Sequence, residues 1–114
     1  MDKIHVSGHL KIHDGKLDEF KKIARACLKS VRENDKGTLQ YEWFFNADQS
    51  VCAVQELYAD SNAMLDHMGN LGETLGALLS ITDMSAEMYG NPSPELLTAI
   101  DGMGNPTYNY FQGL

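Results

Sequence analysis

A carboxylate, a phenol and an imidazole fall within about a dozen residues of one another: Glu56 and Tyr58 near the end of one extended run, and His67 on the segment after it. A carboxyl group can hold or release a proton, a phenol donates a hydrogen bond, and an imidazole ordinarily exchanges its proton near neutral pH. Brought onto one wall, they would form an acid–base site. The residues just ahead supply a surface for such a site. Leu39, Tyr41, Trp43 and Phe45 alternate with Thr38, Gln40, Glu42 and Phe44, and a period of two places three rings on one face of a strand. After the break Ala47-Asp-Gln-Ser50, the run 51–59 is rich in β-branched and aromatic residues and returns as the second arm of a hairpin. Asp60 or Ser61 then stands where a helix N-cap is expected. Hairpin and helix together are expected to form one wall of a small-molecule pocket.

The elements that must position this wall are legible around it. Ile4, Val6, Gly8, Leu10 and Ile12 alternate with His5, Ser7, His9, Lys11 and His13, the pattern of a half-buried first strand. Histidines four apart on a strand lie roughly 13 Å from each other, too far to share one ion held at about 2 Å, so they read as a polar face. Asp14-Gly15-Lys16 is a turn. Leu17, Phe20, Ile23, Ala24, Cys27, Leu28 and Val31 then recur at helical spacing through Asn34, giving a long amphipathic helix that ends before Gly37. After the hairpin, Met64, His67, Met68, Leu71, Leu75 and Leu78 continue at spacings of three and four, interrupted by Gly69, Gly72 and Gly76. Each glycine costs a helix about 1 kcal/mol relative to alanine, so this segment is expected either to break near Gly69 to Gly72 or to be closely packed there. Residues 81–89 alternate as a fourth strand. Ser93 as N-cap, Pro94 at the first position and Glu95 in the first turn start a short helix, with Leu96, Leu97 and Ile100 as its buried side and Gly102 and Gly104 as its stop. The aromatic tail from Thr107 is expected to be a short edge strand or a packed arm.

With 114 residues, the chain has room for one domain spanning 1–114 and a single modest core. A formal net charge of -7 argues against nucleic acid and anionic membranes as partners, because affinity for phosphate polymers comes from Lys and Arg. No apolar run approaches the roughly 18 residues of a membrane span, and the polar start does not resemble a secretion signal, so a cytoplasmic location is expected. Cys27 and Cys52 read as reduced, buried thiols. No ligand cluster or phosphate-binding loop points to a metal or flavin, and no cofactor is expected.

Strand, helix, strand, strand, helix, strand gives an α+β fold, an antiparallel sheet with helices on one face. The other face would be bare, and aromatic residues fall on both faces of the second strand, so two copies are expected to pair as a homodimer. In its ordered motifs the chain resembles the antibiotic biosynthesis monooxygenase family of the dimeric α+β barrel superfamily, whose sheet is ferredoxin-like. The motifs are Asp14-Gly15-Lys16-Leu17 with Phe20, Gly37-Thr-Leu-Gln-Tyr41, Glu56-Leu-Tyr58, Asp60-Ser61-x-Ala63 with His67, and Gly90-x-Pro-Ser-Pro.

The resemblance implies a cleft between sheet and helices lined by Val6, Gly8, Tyr41 or Trp43, Glu56, Tyr58 and His67. It also implies a monooxygenase that joins dioxygen to a small aromatic phenol or quinol without metal or flavin. In that reading His67 or Glu56 takes the substrate proton, Tyr58 donates a hydrogen bond to the substrate oxygen, and Tyr41 and Trp43 offer stacking surface. Heme-degrading members use an Asn on strand one and a Trp at the end of strand three; the nearest matches here are Gly8 and Tyr58, which speaks against heme. The competing reading takes His67 as a satisfied core residue, Glu56 as the partner of a group on the first helix and the rings as packing. The chain would then be a non-catalytic dimer that binds a small molecule.

Overall fold

Alternation in β1 (Ile4–Ile12) is strict. Ile4, Val6, Leu10 and Ile12 are buried, while His9 and Lys11 are exposed. Such a strand needs a cover on one face only. The computed structural model, which describes residues 2–101, 103 and 105–114, supplies that cover with α1 (Leu17–Asn34), α2 (Ser61–Leu71) and α3 (Glu73–Ser80). The remaining elements are β2 (Thr38–Phe45), β3 (Val51–Tyr58), β4 (Thr82–Tyr89), α4 (Pro94–Ala99) and β5 (Thr107–Tyr108). The sheet order is β2-β3-β1-β4-β5. Its first four strands pair antiparallel, and the short β5 joins the edge of β4 in parallel. This is the α+β, ferredoxin-like arrangement the element order predicts.

α1 runs over the expected residues because its apolar positions keep one helical stripe, and Phe20, Ala24 and Cys27 are buried along it. Beneath it lies one core cluster, with Leu10, Ile12, Cys52, Val54, Leu71, Leu78 and Ile81. A second cluster gathers Ile4, Val6, Tyr58, Ala63, Met64, Ala86, Met88, Leu96 and Ile100 under α2 and α4. Each large apolar side chain so buried contributes about 1.5–3 kcal/mol. The expected break in the second helical segment falls at Gly72, whose φ of 50° suits a residue without a Cβ and redirects the chain from α2 into α3. The N-cap of α2 is Asp60, which accepts from the Ala63 amide at 2.8 Å. Ser93 caps α4, accepting from the Leu96 amide at 3.2 Å.

Three expectations need correction. Leu39 does not share a face with Tyr41 and Trp43: the β2–β3 register shifts between Thr38 and Gln40, a bulge that turns Leu39 outward, 53% exposed. Leu97 is not on the buried side of α4, where Leu96 and Ile100 alone fill the space a six-residue helix can cover. Ile81 precedes β4, and the strand opens at Thr82. Gly102 and Gly104, expected to end α4, lie outside the described residues.

Candidate active site

Where the two core clusters meet, apolar packing leaves a cavity of about 100 Å³. Leu10, Val54, Leu71, Leu75, Leu78 and Leu79 wall one part of it, with Val6, Met64, Met68, Met84 and Ala86 opposite. Tyr41, Trp43, Glu56 and His67, from the hairpin and α2, contribute polar groups, and Asn105, beyond α4, adds an amide. Gly8 lines the floor, and a Cβ there would stand 4.0 Å from Glu56 Oε2, so that carboxyl oxygen lies toward the cavity floor.

His67 is placed by the helical stripe that buries Ala63, Met64 and Leu71, and its ring is held from three sides. Tyr41 approaches edge-on at 5.0 Å and Tyr58 at a tilt at 5.1 Å, both measured between ring centroids. The third contact is Asp35, just past the end of α1, whose Oδ2 lies 2.8 Å from His67 Nδ1. A close approach makes this pairing possible. A Cβ on Gly37 would sit 2.4 Å from that of Ala63, so only glycine lets the start of β2 lie against α2 with Asp35 beside His67.

The Asp35 carboxylate also accepts from Thr38 Oγ1 at 2.6 Å and from Asn70 Nδ2 at 2.9 Å. Burial by itself would raise this carboxyl, but the hydrogen bonds from Thr38, Asn70 and His67 outweigh it and hold the group below the usual carboxylate range. An ionised Asp35 only accepts, so Nδ1 of His67 carries a proton, and in the neutral tautomer the lone pair is on Nε2. Nε2 lies 3.7 Å from Glu56 Oε1.

Glu56 has the opposite environment. Burial dominates and pushes its carboxyl up, only partly offset by the hydrogen bond from Tyr58 and the imidazoles of His67 and His5. The Tyr58 hydroxyl donates to Glu56 Oε1, and burial followed by the Glu56 charge pushes that phenol far up as well. Two carboxyl groups flanking one imidazole are thus driven apart in acidity, a pattern that separates a proton acceptor from a proton donor. Burial likewise pushes the Cys27 thiol up to about 11, which suits a packing residue.

Six of the seven residues expected at the site line the cavity: Val6, Gly8, Tyr41, Trp43, Glu56 and His67. Tyr58 is fully buried behind Glu56, with its hydroxyl on that carboxyl. Asp35, Thr38 and Asn70 were not singled out from the sequence. The one signal available was the polar i, i+3 pair His67 and Asn70 on α2, which needs a polar partner where it is buried. Among the described residues no three His, Cys, Asp or Glu side chains are grouped as a metal site requires. No helix among them is long and apolar enough to cross a membrane. His5 and His13 hydrogen-bond separately to Gln55 and Asp83 on the open face.

The sequence fits the pattern of the antibiotic biosynthesis monooxygenases over residues 3–71, more than half of the chain, and the chain belongs to that family. A Caulobacter crescentus CB15 protein assigned to these monooxygenases is 26% identical, with a TM-score of 0.69 over 76% of this chain and 87% of that one. MupZ from Pseudomonas fluorescens superimposes on the whole chain and 90% of its own, with a TM-score of 0.84 at 18% identity. SnoaB, a cofactor-independent oxygenase from Streptomyces nogalater, gives a TM-score of 0.68 at 13% identity, covering 82% of this chain and 96% of its own. The likenesses to MupZ and SnoaB establish the fold. No functionally curated protein matches the sequence significantly.

Proposed function

We propose that the chain is a cofactor-independent monooxygenase that oxidises a small aromatic phenol or quinol with dioxygen. The observation that carries this reading is the largely apolar cavity in which the lone pair of His67 Nε2 and the buried Glu56 carboxyl stand side by side. Membership of the family and the fold shared with an oxygenase that uses no cofactor support it. A cavity of about 100 Å³ suits one ring, and the flexible side chains of Met64, Met68 and Met84 leave room to adapt to a larger one.

Nε2 of His67 takes the phenolic proton, and the ionised Asp35 stabilises the imidazolium that results. The phenolate is electron-rich and passes one electron to dioxygen; the two radicals combine at a ring carbon that carries hydrogen. The proton returns from His67 to the peroxide. As the O–O bond breaks, the ring C–H proton is removed, one oxygen stays as a ring carbonyl and the other leaves as water with a proton relayed through Glu56. Substrate and dioxygen account for all the electrons. Largely apolar walls limit the water that would quench the intermediates. Tyr58 acts in this scheme by orienting Glu56, and Tyr41 and Trp43 offer ring surface to the substrate.

The test is oxygen uptake by the purified protein with a panel of hydroquinones and naphthols. Uptake that falls by about 10²-fold or more in His67→Ala and Glu56→Gln is the expected result. Binding of the same compounds without uptake replaces this reading with a non-catalytic small-molecule carrier. The open face of the sheet, with Phe44, Tyr89 and Tyr108 exposed on it, is read as the surface on which two copies pair; sedimentation at a single monomer mass would overturn that.

A further inference from the structure

Hydrogen bonds at the cavity orient a base and an acid as proton transfer at carbon requires. Asp35 accepts the Nδ1 hydrogen bond of His67, so Nε2 is the basic atom of the neutral ring. Tyr58 donates to Oε1 of Glu56, which leaves Oε2 to carry the proton of the neutral acid, and Oε2 lies toward the cavity floor at Gly8. Among the residues lining the cavity there is no Lys or Arg to hold Glu56 ionised. Base and acid are separated by 3.7 Å between Nε2 and Oε1, close enough to address neighbouring atoms of one small molecule.

We propose that this site also enolises small cyclic ketones without dioxygen, His67 Nε2 removing a proton from the carbon beside the carbonyl while Glu56 Oε2 protonates the carbonyl oxygen. The inference rests on the same site as the oxygenase reading but not on its oxygen step. The C–H bond breaks and its electron pair becomes the C=C bond; the carbonyl π pair takes the proton of Glu56 to form the O–H bond. His67 becomes an imidazolium against Asp35, and Glu56 a carboxylate held by Tyr58. Passing the proton from Nε2 back to Glu56 restores both groups, so the cycle consumes no oxidant, reductant or co-reactant. In the reverse direction the same groups return the enol to the ketone with a solvent-derived proton at carbon.

The experiment follows deuterium incorporation beside the carbonyl of 2-tetralone and 2-indanone by proton NMR, with the full chain in anaerobic D₂O. Exchange at least about 10²-fold above buffer is expected. It should fall to the buffer rate in His67→Ala and in the isosteric Glu56→Gln, and persist in Glu87→Gln, which alters a carboxyl outside the cavity. Exchange at the buffer rate with both ketones overturns the proposal, as does exchange that survives His67→Ala. Exchange without oxygen uptake on the phenol panel would remove only the oxygenase reading, and uptake without exchange would remove only this one.

Discussion

The sequence Glu-x-Tyr occurs at the ends of two neighbours of β1, as Glu56-Leu57-Tyr58 on β3 and Glu87-Met88-Tyr89 on β4. In both, the tyrosine hydroxyl donates to the glutamate two residues before it. The two copies differ by one residue of phase. Val6 of β1 is paired with Glu56, whereas it pairs with Met88 rather than Glu87, so the first copy points under the helices and the second into the open. Tyr58 is fully buried and Tyr89 is 36% exposed. The same local hydrogen bond is therefore a surface contact on β4 and, on β3, part of the proposed acid–base site. The copies differ in the face of the sheet they occupy, and it is burial on the covered face that raises the Glu56 carboxyl.

The sharpest way to break this comparison is to neutralise each carboxyl in turn. Glu56→Gln is expected to lower oxygen uptake on a responsive phenol by about 10²-fold or more, whereas Glu87→Gln leaves it at the wild-type rate; equal losses would erase the distinction. Next in size is the close approach that completes the covered site. Gly37→Ala puts a methyl 2.4 Å from the Ala63 Cβ, and relieving it is expected to cost about 1–3 kcal/mol, seen as a lower urea midpoint. Tyr58→Phe removes a buried donor and is expected to cost about 1–2 kcal/mol in the same measurement, while Tyr89→Phe leaves the midpoint unchanged.

The smallest expected effect is a matter of pH. Glu56 is raised by burial, against the pull of Tyr58 on its own strand, His67 on α2 and His5 on β1. A carboxyl raised on folding gives its full stability below the unfolded value of about 4.3 and loses it as pH rises through the folded value. Glu56→Gln does not titrate. Its melting temperature should gain on the wild type as pH rises above about 4, until Glu56 is ionised in the folded chain as well. Asp35 has the opposite sign: lowered on folding, it stabilises above an unfolded value of about 3.9 and loses that contribution as pH falls through the folded one. Calorimetry across the range separates the two, with Glu87→Gln tracking the wild type throughout.

The sequence showed clearly those features that depend on period and punctuation. The stripe from Leu17 to Val31 fixed α1, the strict alternation of β1 fixed its two faces, and the glycines from Gly69 to Gly72 marked where the second helical segment breaks or is closely packed, the break falling at Gly72. That Glu56 and Tyr58 share a face followed from counting along β3; that this face lines a cleft was implied by the family resemblance. Leu39 escaped because a bulge adds a residue without leaving a compositional mark, and Asp35 because the partner of His67 sits in a connection 32 residues earlier. Nothing local announces such a pairing; it exists only once Gly37 has brought α1's end against α2. Tyr58 was placed on the correct face, but its hydroxyl goes to Glu56 rather than to the cavity, a choice set by geometry that periodicity does not encode.

Met64, Met68 and Met84 on the cavity wall carry a consequence for a protein that handles dioxygen. Thioethers are converted by peroxide to polar sulfoxides, and these three, with Met103, would stand within reach of any peroxide escaping the ring it formed on. Each stray turnover would then leave a polar scar in the wall that has to stay dry. Working life would be counted in catalytic cycles rather than hours, and the sulfoxide content of spent protein would be its tally.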